Sequence, residues 1–188
     1  GDWSSDVCSS DLFQNILKDK AVIGMILVLL LNGGIEGGFF TWLPYFSNQF
    51  FSRSVSNVAL SGYLAMYIPG RYVYSRLSKK ISYLKIILIN ALALTSLIFM
   101  AFYVLEGFWM LPFIFACVFP VSGIFPTMLA MGTDIFPQHS GPMNAIGMGS
   151  SLMGISIFPW IMGIIADSYT TTVAMQSMLF LGIGIIIA

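Results

Sequence analysis

The chain of 188 residues is too apolar and too sparsely charged to form a water-soluble domain. Hydrophobic residues make up 57% of it, charged residues make up 9%, and its mean hydropathy is +0.88. A soluble domain carries charge on roughly a quarter of its residues, so a soluble fold is excluded. The formal net charge is zero. We expect the surroundings of the chain to be a lipid bilayer, and we expect no nucleic-acid partner.

Residues 1–12 differ from everything that follows them. They read GDWSSDVCSSDL, a polar string without periodicity, which is similar to the translation of a common sequencing adapter. We interpret residues 1–12 as an assembly artefact without structure and exclude them from reasoning about the fold. Residues 13–188 form the predicted domain. In it Cys117 is a lone cysteine in an apolar helix, which indicates no disulfide or metal role.

Six apolar segments follow, separated by short polar joints. Backbone polar groups in hydrocarbon must be bonded within their own segment, so each segment is predicted to be a membrane-spanning helix. The predicted fold class is an all-α integral membrane bundle, and the last helix is expected to be cut short at Ala188. The segments cover residues 21–46, 58–74, 81–105, 109–131, 143–166 and 172–188.

Basic residues predict how the chain is oriented in the membrane. If every predicted helix crosses, seven of the eight lie on one side, and Arg53 alone lies on the other. Cytoplasmic loops carry the excess of lysine and arginine. We therefore predict a multi-pass protein of the cell membrane, with the start of the chain and the loop at 71–85 in the cytoplasm.

Glycine and proline are concentrated in the first and fourth segments. The first holds several glycines and Pro44, and the fourth holds Pro120, Gly123 and Pro126. Interrupted helices at matching positions of two halves indicate the central site of a transporter. We therefore predict that both helices are interrupted and line a substrate site, although small residues also serve ordinary helix packing.

Glu36 is the most informative polar residue in the sequence. It lies near the middle of the first predicted helix, where a carboxyl group is costly unless it is protonated, paired or facing water. Asn32 lies four residues earlier and shares its helix face. A structural carboxylate that caps a kink or pairs with another helix is the alternative. The position favours a role in binding substrate or protons.

Aromatic residues follow Glu36 on the same segment. Near the predicted outer end, Trp42 and Tyr45 are typical of an aromatic belt, and Trp42 is equally consistent with a platform for a sugar ring. Ser122 lies beside the prolines of the fourth segment. The candidate substrate-binding residues are Asn32, Glu36, Phe40, Trp42 and Ser122.

The sequence shows no signature of catalysis or of a bound cofactor. No cluster of histidine, cysteine and carboxylate residues has metal-ligand spacing. Nothing matches a phosphate-binding loop or a nucleophile triad. We therefore expect no enzyme activity, no cofactor and no metal site.

The joint at residues 70–80, GRYVYSRLSKK, resembles the G-R-x-x-x-x-R-L loop of the major facilitator superfamily. In that superfamily the loop follows the second helix of each half, which is its position here. Gly70, Arg71 and Arg76 match the pattern and are candidate gating residues of a cytoplasmic loop. A basic loop at this place can pair with helix C-termini and with acidic residues of the other bundle.

A second resemblance points to one branch of that superfamily. Residues 31–42, LNGGIEGGFFTW, look like the G-x-E-x-x-x-x-x-W pattern in helix seven of fucose-permease-like sugar transporters, with Gly34, Glu36 and Trp42 at the matching positions. The run at 124–137 is similar to helix ten of that branch and the loop after it. The small-residue run at 147–167 is similar to its helix eleven.

The resemblance implies a twelve-helix fold of two six-helix bundles, with this chain as the C-terminal bundle and an N-terminal six-helix half as its missing partner. It implies a secondary active transporter with alternating access and proton-coupled uptake of a sugar or similar small polar solute. An exporter of drugs or other amphipathic solutes is the alternative, suggested by the many methionines and phenylalanines. A non-transporting membrane scaffold is a further one.

Overall fold

The computed structural model describes residues 18–78 and 80–188, and the proposed artefact at 1–12 lies outside them. The described residues form a helical bundle. A π-helical turn, Met100–Val104, extends α3, and 3₁₀ turns at Gly107–Trp109 and Pro137–His139 precede α4 and α5. The helices are α1 (Lys20–Phe50), α2 (Arg53–Leu77), α3 (Tyr83–Phe99), α4 (Met110–Ile135), α5 (Ser140–Ser168), α6 (Thr171–Gln176) and α7 (Met178–Ile187).

Local chemistry sets several helix boundaries. The Asp19 side chain accepts a hydrogen bond from the Ala21 N–H at 2.8 Å and caps α1. The Thr170 hydroxyl accepts from the Val173 N–H at 3.2 Å and caps α6. Gly107 has a φ of +61°, a left-handed conformation that glycine adopts without strain. It allows the chain to turn from α3 into α4.

In the part of the chain that the structure describes, four helices are long and apolar enough to cross a membrane, which supports the prediction of a multi-pass membrane protein. The second and sixth predicted segments are not among these four helices. α2 contains three arginines, and the sixth segment is a shorter apolar stretch, Thr171–Ile187, divided at Ser177. A count of six crossings therefore stays a prediction. The four spans are Lys20–Phe50, Tyr83–Val104, Gly107–Ile135 and Pro137–Ser168.

The prediction that the first and fourth helices are interrupted was wrong. α1 is helical through its glycines and Pro44, and α4 is helical through Pro120 and Pro126. The glycines of α1 serve close packing against α5 instead. A Cβ on Gly33 would overlap the Ser151 backbone. Small residues of this kind let the backbones of two helices approach.

Gly70, Arg71 and Arg76 do not lie in a loop as predicted, while their position on the cytoplasmic side stays a prediction. All three belong to α2, which continues to Leu77, so the link to α3 begins only at Ser78. Tertiary contacts explain the longer helix. The Tyr74 hydroxyl donates to the Asn90 side-chain oxygen on α3 at 2.7 Å, and the Tyr74 ring packs closely against Gly123 of α4.

The helices pack so that their ends alternate between two ends of the bundle. α1 packs along α5, α3 pairs with α4, and α2 lies against α1 and α4. At one end the Tyr83 hydroxyl, at the start of α3, donates to Asp134 near the end of α4 at 2.7 Å. At the other end the Gln176 amide donates to the Phe102 carbonyl at 2.9 Å. This alternation is what successive membrane crossings require.

Candidate functional site

Glu36 lies near the middle of α1 and borders a cavity between four helices. At a rise of about 1.5 Å per residue it is roughly 24 Å from the start of α1 and roughly 21 Å from its end. The Glu36 side chain is half-buried. The cavity measures ≈ 150 Å³ and is lined by Glu36, by Arg71 of α2, by Phe125 of α4, and by Met148, Ser151, Leu152 and Ile155 of α5.

One face of α2 brings a cation and two hydroxyl groups to Glu36. Tyr63, Tyr67 and Arg71 are spaced by four residues, so they follow one another along one side of the helix. The Tyr67 hydroxyl interacts with the Glu36 carboxylate, and Arg71 interacts electrostatically with both groups. The Arg71 guanidinium carbon lies 5.7 Å from the centre of the Tyr67 ring, within the range of a cation–π contact.

The sequence reasoning missed Tyr63 and Tyr67. Their side chains are 0% and 9% exposed, and neither was singled out. The four-residue spacing that leads from Tyr63 through Tyr67 to Arg71 was a usable signal. It did not show that this face of α2 points at Glu36, because that depends on how α2 packs against α1.

Phe40, one of the candidate aromatic residues, lies in the group of side chains around Glu36. We call this group, which also contains Tyr63, Tyr67 and Arg71, the Glu36 cluster. The Phe40 ring lies 6.1 Å from that of Tyr63 and 5.8 Å from that of Tyr67, measured between centroids. Both tyrosine rings are therefore held by an aromatic side chain of the helix that carries Glu36.

Trp42, the other candidate aromatic residue, lies elsewhere. Its indole N–H donates to the carbonyl of Pro159 on α5 at 3.0 Å. Its ring packs against Tyr45, with 5.7 Å between centroids. In this conformation Trp42 connects α1 to α5, and it is not among the residues that line the Glu36 cavity.

Asn32 is fully buried one helical turn from Glu36. Among the described residues neither polar atom of its amide has a hydrogen-bond partner. Buried polar side chains are normally paired, so an unpaired amide is a place where strain or a binding role is expected. Asn32 therefore stays a candidate, although it is not part of the cavity lining.

Ser122 and Gly70 meet where α2 crosses α4. A Cβ on Gly70 would overlap the Ser122 hydroxyl, so a larger residue at this position would require the Ser122 side chain to move. The Ser122 hydroxyl donates to the Phe119 carbonyl at 3.0 Å. The structure places both residues in a helix contact, and neither borders the Glu36 cavity.

The two candidate gating arginines face different surroundings. Besides the Glu36 cavity, Arg71 borders a second cavity of ≈ 430 Å³ that extends to Ser78 at the end of α2. Arg76 is exposed and donates to the Tyr72 hydroxyl at 2.8 Å. Arg71 is therefore the arginine that connects Glu36 with the end of α2.

Comparison with known families identifies one family for this chain. The model of the Major Facilitator Superfamily matches residues 25–188, a range that contains every site residue named above. No curated protein and no solved structure gives a significant match to the chain. The matched range covers most of the chain, and we conclude that the protein belongs to the major facilitator superfamily, whose members are secondary transporters.

Proposed function

We propose that the protein takes up a sugar or a similarly small polar solute, coupled to protons, by alternating access in the cell membrane. The observation that supports this most directly is the Glu36 cluster. A carboxylate, a guanidinium and aromatic rings meet at mid-depth in the helix bundle. Ionisable groups at such depth in membrane proteins are costly and mark substrate or proton pathways.

The chemistry of the cluster suits a hydroxylated solute. The Glu36 carboxylate accepts hydrogen bonds from hydroxyl groups, and Arg71 donates them. Apolar side chains such as Phe125 and Ile155 complete the same cavity and offer contact to the CH faces of a sugar ring. The proposed substrate-binding residues are Glu36, with Asn32, Phe40, Trp42 and Ser122 as further candidates.

We propose that this chain supplies the C-terminal six-helix bundle and that a second bundle forms the opposite wall of the cavity. On the α5 side of the cavity, Met148 and Leu152 are 54% and 62% exposed. On α2, Leu64 and Ile68 are exposed as well. A facing bundle would cover these apolar side chains. The start of α1 and the link between α2 and α3 would face the cytoplasm.

Export of an amphipathic solute is the second candidate function. The observation that favours it is the lining of the Glu36 cavity, where Phe125, Met148, Leu152 and Ile155 outnumber the polar residues. Methionine and aromatic surfaces adapt to varied apolar ligands. The single carboxylate would then attract a cationic group.

Transport by the complete transporter in liposomes tests both candidates. We would measure uptake of radiolabelled L-fucose, D-galactose and D-glucose with an inward proton gradient, and again after a protonophore has collapsed the gradient. Liposomes without protein are the control. The proposal expects uptake of at least one sugar above the control and a lower uptake when the gradient is gone.

The same assay identifies the second candidate function, export of an amphipathic solute. If none of the sugars enters and the protein instead extrudes ethidium, a lipophilic cation, the exporter function is correct. If sugar uptake is the same with and without the proton gradient, a sugar is the substrate and the proposed coupling to protons is wrong.

A further inference from the structure

Two buried tyrosines of α2 neighbour Glu36 and are not among the residues that line its cavity. Tyr63 and Tyr67 are one helical turn apart, and their ring centroids are separated by 5.8 Å. Tyr67 interacts with the Glu36 carboxylate, and Tyr63 interacts with both Tyr67 and Glu36. The three side chains therefore form a row that leads from the core of the bundle to the cavity.

The aromatic packing fixes the two tyrosine rings. Phe39 lies 5.1 Å from Tyr63, and Phe40 lies 5.8 Å from Tyr67, between ring centroids. Arg71 contacts the ring of Tyr67. These contacts restrict the positions of both tyrosine rings beside half-buried Glu36.

The hydroxyl groups of both tyrosines are buried beside the Glu36 carboxylate. Among the described residues neither hydroxyl has a hydrogen-bond partner with standard geometry, although the Glu36 carboxylate is their neighbour. A buried hydroxyl without a partner is unfavourable. Phenylalanine at either position would fill almost the same space without that cost, so packing alone does not explain two tyrosines.

Hydrogen-bond chemistry determines which of these three side chains can donate and which can accept. An ionised carboxylate only accepts hydrogen bonds, whereas a phenol donates one and accepts others. In a hydrogen bond between Tyr67 and Glu36 the phenol is therefore the donor, and the Tyr67 oxygen can still accept from Tyr63. A carboxylate has two oxygens, so one bound by Tyr67 leaves the other available to a ligand in the cavity that Glu36 lines.

We propose that Tyr67, backed by Tyr63, is a positioning residue that holds one oxygen of the Glu36 carboxylate and presents the other to a hydroxyl group of the substrate. This inference rests on the proposed function, because it assigns Glu36 to a hydroxylated ligand. The cavity beside Glu36, at ≈ 150 Å³, has room for about five water molecules. It thus admits one end of a small solute, and Glu36 contacts the hydroxyl group at that end.

Uptake kinetics of the complete transporter test the positioning role, with the same three sugars as probes. Tyr67→Phe keeps the ring and removes the hydroxyl. It is expected to raise the half-saturation concentration about tenfold, the effect of losing a hydrogen bond to a charged group, and to leave the maximal rate within about twofold. Tyr63→Phe acts through Tyr67 and is expected to have a smaller effect. Tyr169→Phe, at an exposed position between α5 and α6, is the matched control.

A second background separates positioning from packing. In Glu36→Gln the carboxylate is gone, so Tyr67→Phe is expected to change the half-saturation concentration less than about twofold further. Equal effects of Tyr67→Phe in both backgrounds, or none in either, would refute the proposal. If Tyr67→Phe fails to accumulate, Tyr63→Phe in the same two backgrounds gives the same decision.

Transport by the unmodified protein distinguishes a failure of the proposed function from a failure of the positioning role of Tyr67. If it transports none of the sugars, the proposed function is wrong and the positioning role falls with it. If it transports a sugar and Tyr67→Phe behaves like Tyr169→Phe, the positioning role alone is wrong.

Discussion

The indole N–H of Trp42 on α1 donates to the carbonyl oxygen of Pro159 on α5 across 3.0 Å. This bond joins the two helices that pack most extensively in the bundle. It lies beyond the glycine-rich stretch of α1 where the backbones approach closely. The residue that the sequence suggested as a sugar platform is thus engaged in holding the helix pair in register.

Replacing Trp42 tests that structural role. Trp42→Phe keeps an aromatic ring and removes the donor, so we expect a loss of about 1 kcal/mol in stability, typical of one hydrogen bond. The measurement is the melting temperature of the purified protein, monitored by size-exclusion chromatography after heating to a series of temperatures. Trp160→Phe is the control, because Trp160 is 68% exposed on α5. Equal melting temperatures for the two variants would show that the bond contributes nothing.

The close approach of α1 and α5 depends on Gly154. A Cβ there would overlap the carbonyl oxygen of Leu30 and crowd the Gly34 nitrogen. Gly154→Ala is therefore expected to destabilise the bundle by about 1–3 kcal/mol, as overpacking does, and to lower the yield of folded protein. Gly149→Ala is a matched control on the same helix, since nothing lies within 4 Å of its added Cβ. If both variants unfold at the same temperature, the helices do not pack this closely.

Glu36→Gln should impair transport without loss of the fold. The substitution keeps the shape of the side chain and removes the charge that interacts with Arg71. A hydrogen bond from the substrate to a charged group is worth about 1.5–3 kcal/mol. We expect proton-driven uptake to fall about tenfold or more. Glu106→Gln, at an exposed carboxylate between α3 and α4, should leave uptake unchanged. Normal uptake and normal pH dependence in Glu36→Gln would remove this residue from the mechanism.

Arg71 and Arg76 are expected to differ in function, although both match the same sequence pattern. Arg71→Ala removes the cation from the Glu36 cavity and should slow transport strongly. Arg71→Lys should recover only part of the rate, because lysine restores the charge and not the planar contact with Tyr67. Arg76→Ala removes an exposed contact to Tyr72 and should have little effect. The measurement is the initial rate of uptake, and similar losses in the two alanine variants would contradict the assignment.

The sequence by itself determined the class of the protein and the position of its helices. Runs of apolar residues and the charges that flank them are visible within each segment of the sequence. They located each helical segment to within several residues. The same reasoning gave the superfamily, which the family comparison confirmed, and it singled out Glu36 because a carboxylate in an apolar run is conspicuous. The sugar branch and the assignment to the C-terminal half stay predictions.

Only the tertiary structure decided which side chains meet. Glycines of α1 were taken for a break in the helix, and they turned out to admit the α5 backbone. Arg71 was taken for a loop residue, and it borders the Glu36 cavity from within α2. Tyr63 and Tyr67 were overlooked. In each case the result depends on the angle and rotation at which two helices pack, which no single segment encodes, because a helical period shows which residues share a face and not which helix that face contacts.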